Sequence, residues 1–76
     1  MEPADAFGTV LRKLREEAKM SQERLASESN LDRTYISLLE RGLRQPSLAS
    51  IISLSKTLRI SAAKMVSAVE KLMVEP

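Results

Sequence analysis

The chain has 76 residues, with 12 Lys and Arg against 10 Asp and Glu for a formal net charge of +2, and 43% of its residues are hydrophobic. That length exceeds the roughly 40 residues below which a chain usually needs staples, and it suits one core in one domain over residues 1–76. Cysteine and histidine are both absent, which excludes disulfides, thiolate metal sites and the usual acid–base side chain near neutral pH, so no metal, no cofactor and no enzymatic activity are expected.

Caps and a 3.6-residue apolar period predict five helices and no strand, an all-α fold. The first helix begins near Pro3 and turns Phe7, Val10, Leu11, Leu14 and Ala18 toward the core. Ser21 is the predicted N-cap of the second, with Glu23 near its positive end and Leu25 and Ala26 facing inward. After a break at Ser29 and Asn30, Asp32 caps a third helix running to Arg41, which Gly42 ends in a left-handed conformation. Pro46 and Ser47 mark a turn and the next N-cap, and the fourth helix shows an apolar face of Leu48, Ile51, Ile52, Ser55 and Leu58. Ser61 caps the fifth, whose stripe of Met65, Val66, Val69, Leu72 and Met73 is wider than a terminal helix needs and implies a partner surface.

Charge is unevenly placed. From Asn30 to Lys64, Arg33, Arg41, Arg44, Lys56, Arg59 and Lys64 face only Asp32 and Glu40, giving +4 and leaving −2 over the rest. The middle of the chain should therefore attract polyanions. No apolar run approaches the ~20 residues that cross a bilayer, and the acidic start is unlike a signal peptide, so a soluble, cytoplasmic protein with no membrane partner is expected.

Residues 22–41 have the layout of two short helices joined by a tight turn, the second of which enters the DNA major groove. Ala26 is small where the helices cross, Asn30 takes the turn position that needs positive φ, and Leu31, Ile36 and Leu39 lock the pair. Through Ser21-Gln22-Glu23-x-Leu25-Ala26, Ile36-Ser37-x-x-Glu40-Arg41-Gly42 and Pro46-Ser47, the chain resembles the phage-repressor-like (XRE-type) helix-turn-helix family. The run from Asn30 to Ser37 is most similar to the controller proteins of restriction–modification systems, which are small dimeric regulators. Lys19 stands where the family often has glycine, and the residues after Val66 carry no family signature. The resemblance implies a five-helix lambda-repressor-like domain that regulates transcription. A phage-type repressor or antitoxin-like autoregulator is the alternative, and a helical protein-interaction module without DNA binding a distant one.

Arg33 and Thr34 start the third helix, where a guanidinium can take guanine O6 and N7 and a threonine can meet a thymine methyl. Ser37 and Tyr35 are expected on the exposed side of the same helix as further base-reading candidates, and the resemblance implies that Tyr35 meets the sugar–phosphate or the operator centre. Leu38 packs on a thymine methyl or is an ordinary surface residue. Gln22, Arg44, Gln45 and Ser47 are candidates for phosphate contact. The resemblance also implies that Arg15 and Glu40 form a structural ion pair, so Glu40 is not a catalytic acid. Glu16 and Glu17 diverge by about 100° on a helix and make no dyad.

Because one module reads only a few base pairs, two recognition helices about 34 Å apart are needed. A homodimer on double-stranded operator DNA with two half-sites is therefore expected, its seam drawn from Ile60, Met65, Val66, Val69 and Met73 with the end of the fourth helix contributing, and with Met65 and Val69 shared between the seam and the core. A chain this short is expected to lack a ligand cavity of several hundred Å³, and no small-molecule substrate is anticipated.

Overall fold

The computed structural model describes residues 1–75 and holds five helices: α1 (Pro3–Glu17), α2 (Gln22–Glu28), α3 (Arg33–Glu40), α4 (Leu48–Leu58) and α5 (Ala62–Val74). Among the described residues there is no strand. Four helices start on a side-chain cap, Ser21, Asp32, Ser47 and Ser61 accepting from the backbone N–H of Arg24, Thr34, Ser50 and Lys64. Each cap satisfies one donor that the first turn would otherwise leave without a partner. Helix α1 has no side-chain cap and opens on Pro3, whose missing N–H and fixed φ suit a first turn. Helix α3 stops at Glu40, with Arg41 as its C-cap, one residue short of the expected end.

One device closes four of the helices. Lys19, Asn30, Gly42 and Arg59 have φ of 58°, 57°, 73° and 57°. The next residue in each case sends its N–H five residues back, Met20 to Arg15, Leu31 to Ala26, Leu43 to Leu38 and Ile60 to Ser55, at 3.1, 2.8, 2.9 and 3.0 Å. The left-handed residue thereby turns the chain while the long bond satisfies an orphan carbonyl of the last turn. Met20 and Leu31 then fold onto the core as partly buried apolar residues. Asn30 and Gly42 take the conformation their types favour, whereas Lys19 and Arg59 adopt it at a steric cost.

Every helix supplies the core, which gathers Phe7, Val10 and Leu11 of α1, Leu25 and Ala26 of α2, Ile36 and Leu39 of α3, Leu54 of α4 and Met65 of α5. At about 1.5–3 kcal/mol per fully buried large apolar side chain, these contacts dominate stability. Helix α1 crosses the C-terminal end of α3 at Gly8, where an added Cβ would collide with the carbonyl oxygens of Leu39 and Glu40.

Two expectations about apolar faces are corrected. On α4 the buried residues are Ser50, Leu54 and Ser55, while Leu48 and Ile52 are 71% and 41% exposed. The helix is rotated so that Ser50 Oγ accepts the Tyr35 hydroxyl of α3 and Ser55 Oγ donates back to the Ile52 carbonyl of its own helix, while Leu48 and Ile52 turn to solvent. Met65, expected to serve both the core and a subunit seam, is 0% exposed and belongs to the core alone, so it has no surface to offer a partner. The groove that was not anticipated, about 500 Å³, opens between α1 and α5 beside Val10, Leu14 and Leu72. No helix of the described residues is long and apolar enough to cross a membrane.

Candidate nucleic-acid interface

Helix α3 buries Ile36 and Leu39, and a period of 3.6 then sets Arg33, Thr34, Ser37, Leu38 and Arg41 on its outer face. Arg33, Thr34 and Arg41 are exposed, and Ser37 and Leu38 half-buried. Asp32 Oδ1 accepts the Thr34 N–H at 2.8 Å, which closes the first turn through the backbone and leaves the Thr34 hydroxyl outward-facing. Among the described residues the side chains of Arg33, Thr34 and Ser37 have no hydrogen-bond or ion-pair partner. Three polar groups in a row, one of them a cation, are thus free for an external ligand.

Glu40 anchors this helix from the α1 side. Its side chain is 1% exposed, and it receives Arg15 Nε on Oε2 at 2.6 Å and Arg15 Nη2 on Oε1 at 3.0 Å. The third guanidinium nitrogen, Nη1, donates to the Met20 carbonyl at 2.9 Å. A buried carboxylate is stable only with such a fork of charge-assisted bonds. The same bonds, above all those from Arg15 to Glu40, push the Arg15 pKa up against the opposing effect of burial. Gln22 Nε2 also donates to Glu40 Oε1 at 3.0 Å, and Arg12 Nε lies 3.8 Å from that oxygen. Gln22, expected as a free phosphate donor, is therefore half-buried with one of its two amide N–H groups already taken.

On the other side, α4 holds the turn through hydroxyls. Ser29 Oγ donates to Thr57 Oγ1 at 2.9 Å, Ser53 Oγ to the Ser29 carbonyl at 2.6 Å, and Thr57 Oγ1 to the Glu28 carbonyl at 3.3 Å. Ser29 is only 3% exposed. These bonds bring polar groups of the buried turn into full satisfaction, and among the described residues no buried side-chain nitrogen or oxygen lacks a partner.

Tyr35 departs from its expected exposed setting. Its hydroxyl donates to Ser50 Oγ at 3.0 Å and accepts the Ser47 N–H at 3.3 Å, while the Arg44 guanidinium sits 5.5 Å from the ring centroid, within cation–π range. The ring ties α3 to the start of α4 and holds Arg44, and what remains for an outside ligand is its accessible part. Ser47 is similarly committed: its N–H goes to Tyr35 and its hydroxyl donates to Ser50 Oγ at 2.9 Å while capping α4. A phosphate accepts and does not donate, so the donors of this cluster left for one are Arg44 and Gln45, both exposed.

The expected seam residues occupy mixed positions. Val66 and Met73 are 40% and 37% exposed, Ile60 and Val69 are half-buried, and Ile52 of α4 adds an exposed apolar side chain that the sequence pattern had turned inward. Val66 and Val69 line a shallow groove with Phe7, Pro46 and Ile51. Among the described residues no three Asp, Glu, His or Cys side chains come together as metal ligands would.

A helix-turn-helix family model matches residues 11–65, and Control protein C.MunI of a Mycoplasma species is 42% identical over 66 residues, 86% of this chain and 89% of that one. The chain belongs to the helix-turn-helix controller-protein family. Among solved structures, the restriction-modification controller protein C.AhdI from Aeromonas hydrophila superposes with a TM-score of 0.79 at 42% identity, over 82% of this chain and 94% of that one. The controller C.Esp1396I, solved as a nucleoprotein complex, superposes with a TM-score of 0.87 at 34% identity, over 100% and 99% of the two chains. In this controller-family chain the helix-turn-helix is α2 and α3, and the residues that hold it in place come from α1 and α4.

Proposed function

We propose that this protein is a sequence-specific operator-binding transcription regulator that acts as a homodimer, and that it serves a restriction–modification system as its controller. The observation that carries the reading is the outer face of α3, where the side chains of Arg33, Thr34 and Ser37 have no partner among the described residues, on a helix anchored from both flanks. Arg33 takes a guanine through O6 and N7, and Thr34 and Ser37 meet neighbouring base edges, with the accessible part of the Tyr35 ring beside them. Gln22, Arg44 and Gln45 fix the register on phosphates. Membership of the controller family and the nucleoprotein complex of C.Esp1396I support the same assignment.

Helix α3 has 8 residues and so spans about 12 Å, a few base pairs. Two copies whose α3 helices lie about 34 Å apart on one duplex face would read two half-sites. The exposed apolar residues Ile52, Val66 and Met73, with Ile60 and Val69, supply the seam. The protein acts by occupying DNA and not by catalysis, and it works where the nucleoid is.

The test is a gel-shift and nuclease-protection series on the duplex upstream of the chain's own gene. Two protected half-sites, one helical turn or a multiple apart, and an affinity that falls steeply with salt are expected. A protein that leaves this DNA unshifted even at low ionic strength would overturn the proposal.

A further inference from the structure

Arg12 is a cation for which the fold has little use. Its Nε lies 3.8 Å from Glu40 Oε1, beyond hydrogen-bonding range, and its side chain is 62% exposed. The carboxylate it approaches is already matched by the two-pronged bond from Arg15 at 2.6 and 3.0 Å. Two guanidinium groups thus share one carboxylate, and a full positive charge is left over on the solvent side. Glu16, one turn further along α1, makes no ion pair with Arg12 among the described residues. The oxygen that Arg12 approaches also accepts Gln22 Nε2 at 3.0 Å, so the two side chains converge on one point. Gln22 keeps a second amide N–H free.

We propose that Arg12 and Gln22, both leaning on Glu40, form a seat for one DNA phosphate at the junction of α1, α2 and α3. Arg12 supplies the charge and Gln22 a neutral donor, while Glu40 acts as a positioning residue that sets the angle of both without touching the DNA. The seat rests on the operator-binding reading, and it places α1 in contact with the duplex backbone, a role the sequence pattern assigned to other elements.

The experiment compares wild type with Arg12→Gln and Arg12→Lys on the duplex upstream of the chain's own gene, measuring affinity from low to moderate salt, with thermal melting to verify folding. With one phosphate seated per protomer, Arg12→Gln removes two contacts from the dimer and should reduce the magnitude of the log–log salt slope by about 1.8, about 0.9 for each phosphate. Arg12→Lys should restore it, and the ranking of single-base operator variants should not change. Gln22→Ala should weaken binding less in the Arg12→Gln background than in wild type, because both residues serve one phosphate. A folded Arg12→Gln protein with the wild-type slope, or full additivity of the two substitutions, would overturn the seat and leave operator binding standing. Wild-type protein that binds no duplex would overturn both.

Discussion

Arg33 and Glu40 sit at the two ends of α3 and do opposite things. Arg33 is exposed and has no partner within the described residues, so its removal should leave the fold intact and, on the proposed reading, be felt only on DNA. Arg33→Ala should lose about 1–3 kcal/mol of discrimination at a single base pair, seen as a flattened response to operator variants at that position and near-normal thermal melting. The Glu40 side chain is 1% exposed and receives three hydrogen bonds from Arg15 and Gln22. Glu40→Ala strands the Arg15 guanidinium, half-buried beside it, and should cost about 3–5 kcal/mol in urea or thermal unfolding, with DNA binding lost as a consequence of unfolding. The partnership of these residues was legible through family resemblance, and the exposure of Arg33 through helical period. The commitments of Tyr35 and Ser47 were not, because they depend on where α4 lies relative to α3, and nothing local in Thr34-Tyr35-Ile36 or Pro46-Ser47-Leu48 encodes that placement.

At the scale of elements, helix starts were legible almost residue by residue. An N-cap is a bond between a side chain and a backbone N–H two or three residues on, so Ser21, Asp32, Ser47 and Ser61 carry their own signal. Helix ends were half legible: Asn30 and Gly42 advertise a left-handed residue, while Lys19 and Arg59 do not. The sign that could have found all four is the apolar residue that follows, Met20, Leu31, Leu43 or Ile60, as the closing motif favours. Lys19→Gly should relieve the left-handed strain and raise stability by about 0.5–1 kcal/mol after the greater flexibility of glycine in the unfolded chain is deducted, read from the denaturation midpoint. Gly8 was silent in the sequence because the need for it arises from a crossing of two helices. Gly8→Ala drives a methyl into the Leu39 and Glu40 carbonyls and should destabilise by about 1–3 kcal/mol, lowering Tm by roughly 4–8 °C for each kcal/mol in a domain of this size.

For the whole molecule, the α5 stripe leaves Val66 and Met73 exposed, but the width of the stripe alone cannot say which residue faces which way. Met65 went to the core, and Ile52 of α4 came out. Val66, at 40% exposure, is the cleaner probe of the seam than Val69, which also packs on the core. Val66→Glu should leave the monomer folded, shift the protein to the monomer in sedimentation at micromolar concentration, and weaken operator binding by the loss of the second half-site contact. An unchanged dimer would move the seam elsewhere on the surface. The bonds by which α4 grips the turn, Ser29 to Thr57, Ser53 to the Ser29 carbonyl and Thr57 to the Glu28 carbonyl, join neutral groups. Added electrolyte has no charge to screen there, and it screens the nearly enclosed Arg15–Glu40 link only weakly. The reading head should therefore hold one shape across ionic strengths that strip the protein from DNA, and a salt titration of this molecule would count phosphates without also melting the tool that counts them.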